Sequence, residues 1–299
     1  MNRRYLLMLL GLAALWGASF LFIKVAVREL TPATLIVGRL GLAALTLALL
    51  VPFTVGTGET MRQLRANAGW LVVVALVNTA IPFWLLSWGE TRIDSGLASI
   101  IQASVPIFNA LIAFVAFREV RVTGARLLGV AVGFVGVALL VGAQPEGKVL
   151  GALAVVGMAF CYGVGGLLTG RYLSNARPFV VALASTTVAT LVWLPVGVAE
   201  APAHMPGWKT IGSVVMLGVP GTALAYLLFF GLITGAGAAY TSLVTYLIPP
   251  IALAYGSIFL DERFGAAALG GLALILAGVA LGTGAVRVGR ARQARAADG

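Results

Sequence analysis

Charge is scarce in this sequence. Only 10% of its 299 residues are Asp, Glu, Lys or Arg, against 60% hydrophobic residues. Few soluble domains have that balance. There is one cysteine, Cys161, so no intramolecular disulfide can form and no cysteine-based metal cluster is supported. There is one histidine, His204, and no H-E-x-x-H, G-x-S-x-G or acidic metal site. A membrane-embedded enzyme would need such a reactive cluster, so the chain reads as no enzyme, with no catalytic residue, metal or cofactor. Alternating strand patterns are also missing, which argues against an outer-membrane barrel.

Apolar runs and glycine are abundant, with 38 glycines, as in helices that cross membranes. The net charge of +10 sits between apolar runs, so it reports topology rather than a nucleic-acid partner. From Tyr5 to Ile23 there are 19 uncharged residues. That exceeds the ~7–15 residues of a signal-peptide core, and no A-x-A-like site follows, so this stretch is expected to be a retained first helix.

A span needs ~20 mostly apolar residues. Turn residues and charges divide the chain into ten: 4–27, 32–55, 68–89, 94–117, 124–143, 149–171, 178–199, 209–233, 237–260 and 265–286. With the N-terminus in the cytoplasm, thirteen Lys and Arg fall on the cytoplasmic side. Five, namely Arg28, Arg92, Lys148, Lys209 and Arg263, fall outside. The positive-inside rule therefore favours ten spans in a bacterial inner membrane with both termini cytoplasmic.

The chain also repeats itself. At an offset of 143, Ser99 matches Ser242, Gln102 matches Thr245, Pro106 matches Pro249 and Glu119 matches Glu262. Upstream, Thr79 matches Thr222 and Phe83 matches Tyr226. Trp16-Gly17 parallels Tyr162-Gly163. Five spans is an odd number, so the second copy must enter the membrane inverted, an arrangement that transporters use. The expected fold is an all-α polytopic membrane protein, ten transmembrane helices as two inverted five-helix repeats. Its parts are 1–143, a linker at 144–148, 149–286, and a basic cytoplasmic tail at 287–299.

Four segments carry a resemblance: LWGASFLFIK at 15–24, VGRLGLAAL at 37–45, SVPIFNALIAF at 104–114 with Arg118-Glu119, and LIPPIALAYGSIFLDER at 247–263. In order and duplication they resemble the drug/metabolite transporter superfamily, EamA type, over essentially the whole chain. Within it the sequence is similar to the YddG-type amino-acid exporters. The resemblance implies ten helices in inverted repeats and export of amino acids or related metabolites. The expected partners are a small-molecule substrate and the lipid bilayer, without nucleic acid. The oligomeric state is open, a monomer included.

Ser95, Ser99, Gln102, Pro106 and Asn109 recur at steps of four, three, four and three, which puts them on one face if the helix is continuous. Any single Ser or Thr in a span more often serves as interhelical glue. The stripe and its repeat partners Ser242 and Thr245 are therefore read together as two walls of a pathway. Asn78, Thr79, Thr222 and Tyr226 are expected to complete it, with Trp16, Trp84 and Tyr162 as aromatic walls. Pro82, Pro106, Pro220 and Pro249 would kink the third, fourth, eighth and ninth spans and act as gates, though curvature alone is an equal reading. Trp70, Trp193 and Trp208 read as interfacial belt residues. Gly129/Gly133 and Gly278/Gly282 have the spacing of close helix packing, a scaffold role.

No acid lies near a helix centre. A proton-driven exporter of lipophilic cations would want a membrane-embedded carboxylate, so neutral or zwitterionic cargo and uniport-like transport are favoured over that rival. A channel is less favoured, because no filter-like loop is visible. Two bases lie inside spans, few for a phosphate-sugar carrier. Lys24 has the position to snorkel to the outer surface. Arg39, about 11 Å into its helix, either meets a substrate carboxylate or, the favoured reading, bonds to carbonyls of a neighbouring helix.

Overall fold

The chain is an all-α polytopic membrane protein. A computed structural model describes residues 3–116 and 124–282, and no strand occurs among them. The helices are α1 (Arg3–Ala26), α2 (Pro32–Thr54), α3 (Thr57–Ala66), α4 (Ala68–Glu90), α5 (Ser95–Gln102), α6 (Val105–Ala116) and α7 (Gly124–Gly142). They continue as α8 (Glu146–Tyr172), α9 (Pro178–Ala199), α10 (Trp208–Ala236), α11 (Ala238–Thr241), α12 (Val244–Leu260) and α13 (Ala266–Gly282). Seven segments among the described residues are long and apolar enough to cross a bilayer. Three shorter apolar helices fall on the expected fifth, ninth and tenth spans. The tail at 287–299 and the Arg118-Glu119 pair lie outside the described residues.

Local chemistry sets several boundaries. Thr31 caps α2 by accepting the Thr34 N–H at 3.3 Å, and Pro32 stands at the first helical position, where its missing N–H is harmless. Pro178 starts α9 in the same way. Glu29, between α1 and α2, accepts from the Gly207 N–H and the Thr210 hydroxyl, both at 2.7 Å, and so caps the start of α10. Those two donors, the backbone one first, hold its carboxyl below the usual carboxylate range.

The sequence reading missed α3. It is short and amphipathic, with Thr60 and Gln63 turned inward. Gln63 accepts the Arg177 N–H at 2.8 Å and so pins α3 beside the start of α9.

Two other departures are internal to spans. Residues 76–80 of α4 and 219–224 of α10 form wide π-type turns. Their first residues are 143 apart, the offset of the sequence repeat. Pro82 follows the first π turn and Pro220 lies inside the second. A proline ring in an α-helix collides with the carbonyl four residues back, and a wider turn relieves that collision. The other departure is a break. The expected fourth span stops at Gln102 and resumes at Val105, and the ninth stops at Thr241 and resumes at Val244. Pro106 falls in the first turn of α6, where proline is tolerated, while Pro249 lies inside α12.

Packing pairs elements across the two sequence copies. α2 lies against α9, α7 against α13, α1 against α12 and α10, and α8 against α6 and α4. Glycines permit the tightest approaches. A Cβ on Gly17 would stand 2.7 Å from Ile251, and one on Gly163 would stand 3.0 Å from Phe108. Ile251 and Phe108 are themselves 143 apart, so the two contacts correspond. A Cβ on Gly278 would lie 2.6 Å from the Gly129 carbonyl oxygen and the Gly133 nitrogen. Small-residue spacing here does what it was expected to do, bringing two backbones together.

Candidate functional site

The helices enclose a cavity of about 460 Å³. Trp16, Ser19 and Phe20 of α1 form one side of it. Asn78, Phe83 and Leu86 of α4, with Tyr162 of α8, form another. α10 contributes Thr222, Tyr226 and Phe229, while Thr241, Ser242 and Thr245 edge the break before α12. Gln102 stands at the other break, before α6. Both π turns reach the wall, through Asn78 and Thr222. A widened turn displaces one residue from helical register, and such turns recur at functional sites.

Eight of the twelve expected binding residues therefore meet on one surface. Thr79, Trp84, Ser99 and Asn109 do not line it. Thr79 is 1% exposed, and its hydroxyl has no hydrogen-bond partner. Trp84 is turned toward Trp193, with ring centroids 5.5 Å apart and planes 4° from parallel. Ser99 is fully buried and donates to the Gly96 carbonyl at 2.6 Å. Asn109 packs beside Gly163 and Gly166 of α8. The serine-to-asparagine stripe is not one wall: Ser95 and Ser99 are fully buried off the cavity, and the break at Ala103-Ser104 ends the helical phase that would carry the stripe on to Asn109.

Trp193, expected as a belt residue, also packs inward. It is partly buried and donates to the Ala80 carbonyl at 2.9 Å, satisfying an oxygen of the π turn. Trp208, by contrast, is exposed.

Both intramembrane bases depart from expectation. Lys24 does not snorkel. Its ammonium donates to the carbonyls of Glu90 and Ile93, both at 2.7 Å, and so ties the end of α1 to the end of α4. Arg39 reaches the cavity wall from α2, a helix not expected to line it. It is 7% exposed, its Nε donates to the Thr222 hydroxyl at 3.2 Å, and its guanidinium lies 4.5 Å from the centroid of the Phe83 ring. Thr222 in turn donates to the Leu217 carbonyl at 2.8 Å, which fixes its orientation. No hydrogen bond to a neighbouring helix carbonyl is made by Arg39 among the described residues. Its terminal nitrogens have no carboxylate partner there, and no acid lines the cavity.

The two ends of the cavity differ. Ser242, on the wall at one end, is exposed. Its repeat counterpart Ser99 at the other end is sealed, along with Ile93 and Leu97. Glu262 ties the segment after α12 to the start of α5 there, accepting from the Ser95 N–H at 2.8 Å and from the Ser95 hydroxyl and Gly96 N–H at 3.0 Å each. The Phe264 ring fills the space above Gly96, where a Cβ would collide with it. Glu119, the counterpart of Glu262, lies outside the described residues.

A cavity between packed membrane helices, with the exposed Ser242 on its wall, is the geometry of a small-molecule transporter. The EamA-like transporter family profile matches the chain twice, at residues 3–142 and 149–283. The chain belongs to that family. Curated relatives span nearly its full length. A probable terminal-alkyne amino-acid exporter of Streptantibioticus cattleyicolor is 29% identical over 89% of each chain. A probable amino-acid metabolite efflux pump of Escherichia coli is 26% identical over 93% of this chain and 94% of its own. An uncharacterized transporter of Archaeoglobus fulgidus is 24% identical over 88% of this chain. A solved crystal structure superposes with a TM-score of 0.66 over 96% of this chain at 18% identity, a likeness of fold alone. This EamA-like protein is thus a membrane transporter of small molecules, and its family profile falls once on each half of the chain.

Proposed function

We propose that this EamA-like transporter exports amino acids or closely related small metabolites from the cytoplasm, by alternating access through the cavity. One observation carries the reading: Arg39 is the sole charged side chain on the described wall, and it has no acidic partner. An unpaired guanidinium in a water-poor site favours a solute that brings a carboxylate, since it presents paired donors in a fork that matches one. Trp16, Tyr162, Tyr226 and Phe229 give the solute's apolar part a surface, and Gln102, Asn78 and Thr245 supply neutral hydrogen-bonding groups. The names of the two exporter relatives fit the same cargo.

In this reading the halves 1–143 and 149–286 are inverted copies, and the expected topology puts Ser242 at the cytoplasmic end and Lys24 at the outer end. Matched π turns and matched breaks support it. Each half then adopts the other's conformation in turn, closing the Ser242 end and opening the Lys24 end. Transport is uniport-like at the substrate site, because no carboxylate lines the described wall for a proton and a solute to compete over. A lipophilic cation would meet the Arg39 charge instead of a counter-ion.

The test is uptake of labelled amino acids, one at a time, into liposomes holding the purified protein. Saturable entry is expected, about tenfold weaker in Gln102→Ala and Tyr162→Ala, each of which removes one hydrogen-bonding or aromatic contact. Failure to move any amino acid, with movement of a cationic dye instead, would overturn the reading and favour a multidrug exporter.

A further inference from the structure

Glu90 is the last residue of α4 and is fully buried at the sealed end. Neither of its carboxylate oxygens has a hydrogen-bond partner, and it forms no ion pair. The sequence reading noted only that no acid lies near a helix centre, which Glu90, at the end of α4, satisfies. A helix end is normally wet, but Glu90 at this one is 0% exposed.

Every charged group facing Glu90 is engaged elsewhere. Lys24 of α1, Glu262 after α12 and Arg39 of α2 are the charges that act on it. Lys24 spends its ammonium on two backbone carbonyls, one of them Glu90's own. Glu262 is held by Ser95 and Gly96, and Arg39 is turned toward Thr222 and Phe83. On α8 the residues packed against the adjoining Gly89 are Gly151, Ala154 and Val155, which carry no charge, and Lys148 pairs with Asp94 at 3.8 Å. α5 offers no titratable side chain.

An ionised carboxylate buried without hydrogen bond or counter-ion is strongly unfavourable, whereas its neutral acid form loses far less on burial. We propose that Glu90 is a proton-binding site that governs this end of the transporter: it holds a proton while the end is shut and releases it when the end opens. Opening must break both Lys24 bonds, since they tie α1 to α4. The freed ammonium and entering water then surround Glu90 and stabilise its ionised form. Protons on the Lys24 side therefore favour closure. The control is one-sided, because the residue 143 positions on is Ile233, an apolar residue on the open part of the wall. The inference does not depend on which solute is carried.

Infrared difference spectra of the reconstituted protein in D2O at neutral pH test it without any substrate. Wild type is expected to show a protonated carboxylic-acid C=O band that is lost in Glu90→Gln and shifted in Glu90→Asp. Identical spectra in that region would overturn the proposal, and Glu90→Asp alone carries the comparison should the glutamine variant fold poorly. Amide hydrogen exchange across residues 91–102 reads the gate itself. At one mildly alkaline pH it should be severalfold faster in wild type than in Glu90→Gln, whose side chain cannot ionise. Equal rates would contradict proton control of this end.

Discussion

Replacing Arg39 with Gln is expected to raise the half-saturation concentration for a transported amino acid by about thirtyfold or more. Losing one member of a buried, hydrogen-bonded charge pair costs ~2–5 kcal/mol, and each ~1.4 kcal/mol is tenfold. The variant should still fold. It gives up one side-chain hydrogen bond to Thr222 and the contact with Phe83, a cation–π term of ~0.5–2 kcal/mol, while removing a costly buried charge. Arg39→Lys keeps the charge but not the fork, so it should fall between the two. Competition sharpens the result. Wild type should ignore the decarboxylated amine of its substrate, and Arg39→Gln should lose much of that discrimination. Uptake kinetics unchanged by Arg39→Gln would place the carboxylate elsewhere.

The second large effect is structural. Gly278→Ala should lower the melting temperature of the purified protein by several degrees and reduce its yield. The added Cβ meets backbone atoms of Gly129 and Gly133, at 2.6 Å for the nearest. Backbone cannot swing aside as a side-chain tip can, so α7 and α13 must separate along their length. Overpacking of this kind costs ~1–3 kcal/mol or more. Gly142→Ala, at the end of α7 with nothing within 4 Å, is the control and should leave the melting temperature unchanged. Equal behaviour of the two variants would mean that the α7–α13 contact is looser than the structure has it.

Much of this architecture was legible because bilayer thickness and turn chemistry are read almost directly from apolar runs and their interruptions. The repeat was legible because it preserved residue types at one offset. Phase within a span was less legible. Spacing assigns residues to a face only while the helix is regular, and α4, α10 and the breaks at residues 103–104 and 242–243 are not regular. Thr79 and Asn109 were therefore expected on the wall and lie off it, whereas Asn78 beside the first and Gln102 before the break line it. Pro82 and Pro220 were visible signals for the wide turns, but proline alone does not distinguish a kink from a π turn. Arg39 could be seen as unusual from its depth in α2, yet its partner Thr222 is 183 residues away, and only the packed fold brings them together. Glu90 was obscured for a related reason: position along a helix says nothing about what covers its end.

Alternating access is most directly tested by thiol labelling from each side of the membrane. Two single-cysteine proteins suffice, Ser99→Cys and Ser242→Cys, each carrying Cys161→Ser. They mark equivalent positions in the two copies, one fully buried and one exposed. A membrane-impermeant reagent should reach Ser242→Cys from the cytoplasmic side only. It should reach Ser99→Cys from the opposite side only, slowly at rest and faster while substrate is being transported, with Ser242→Cys then protected. Labelling of both positions from the same side, or of both at once at rest, would contradict a carrier built from two inverted halves.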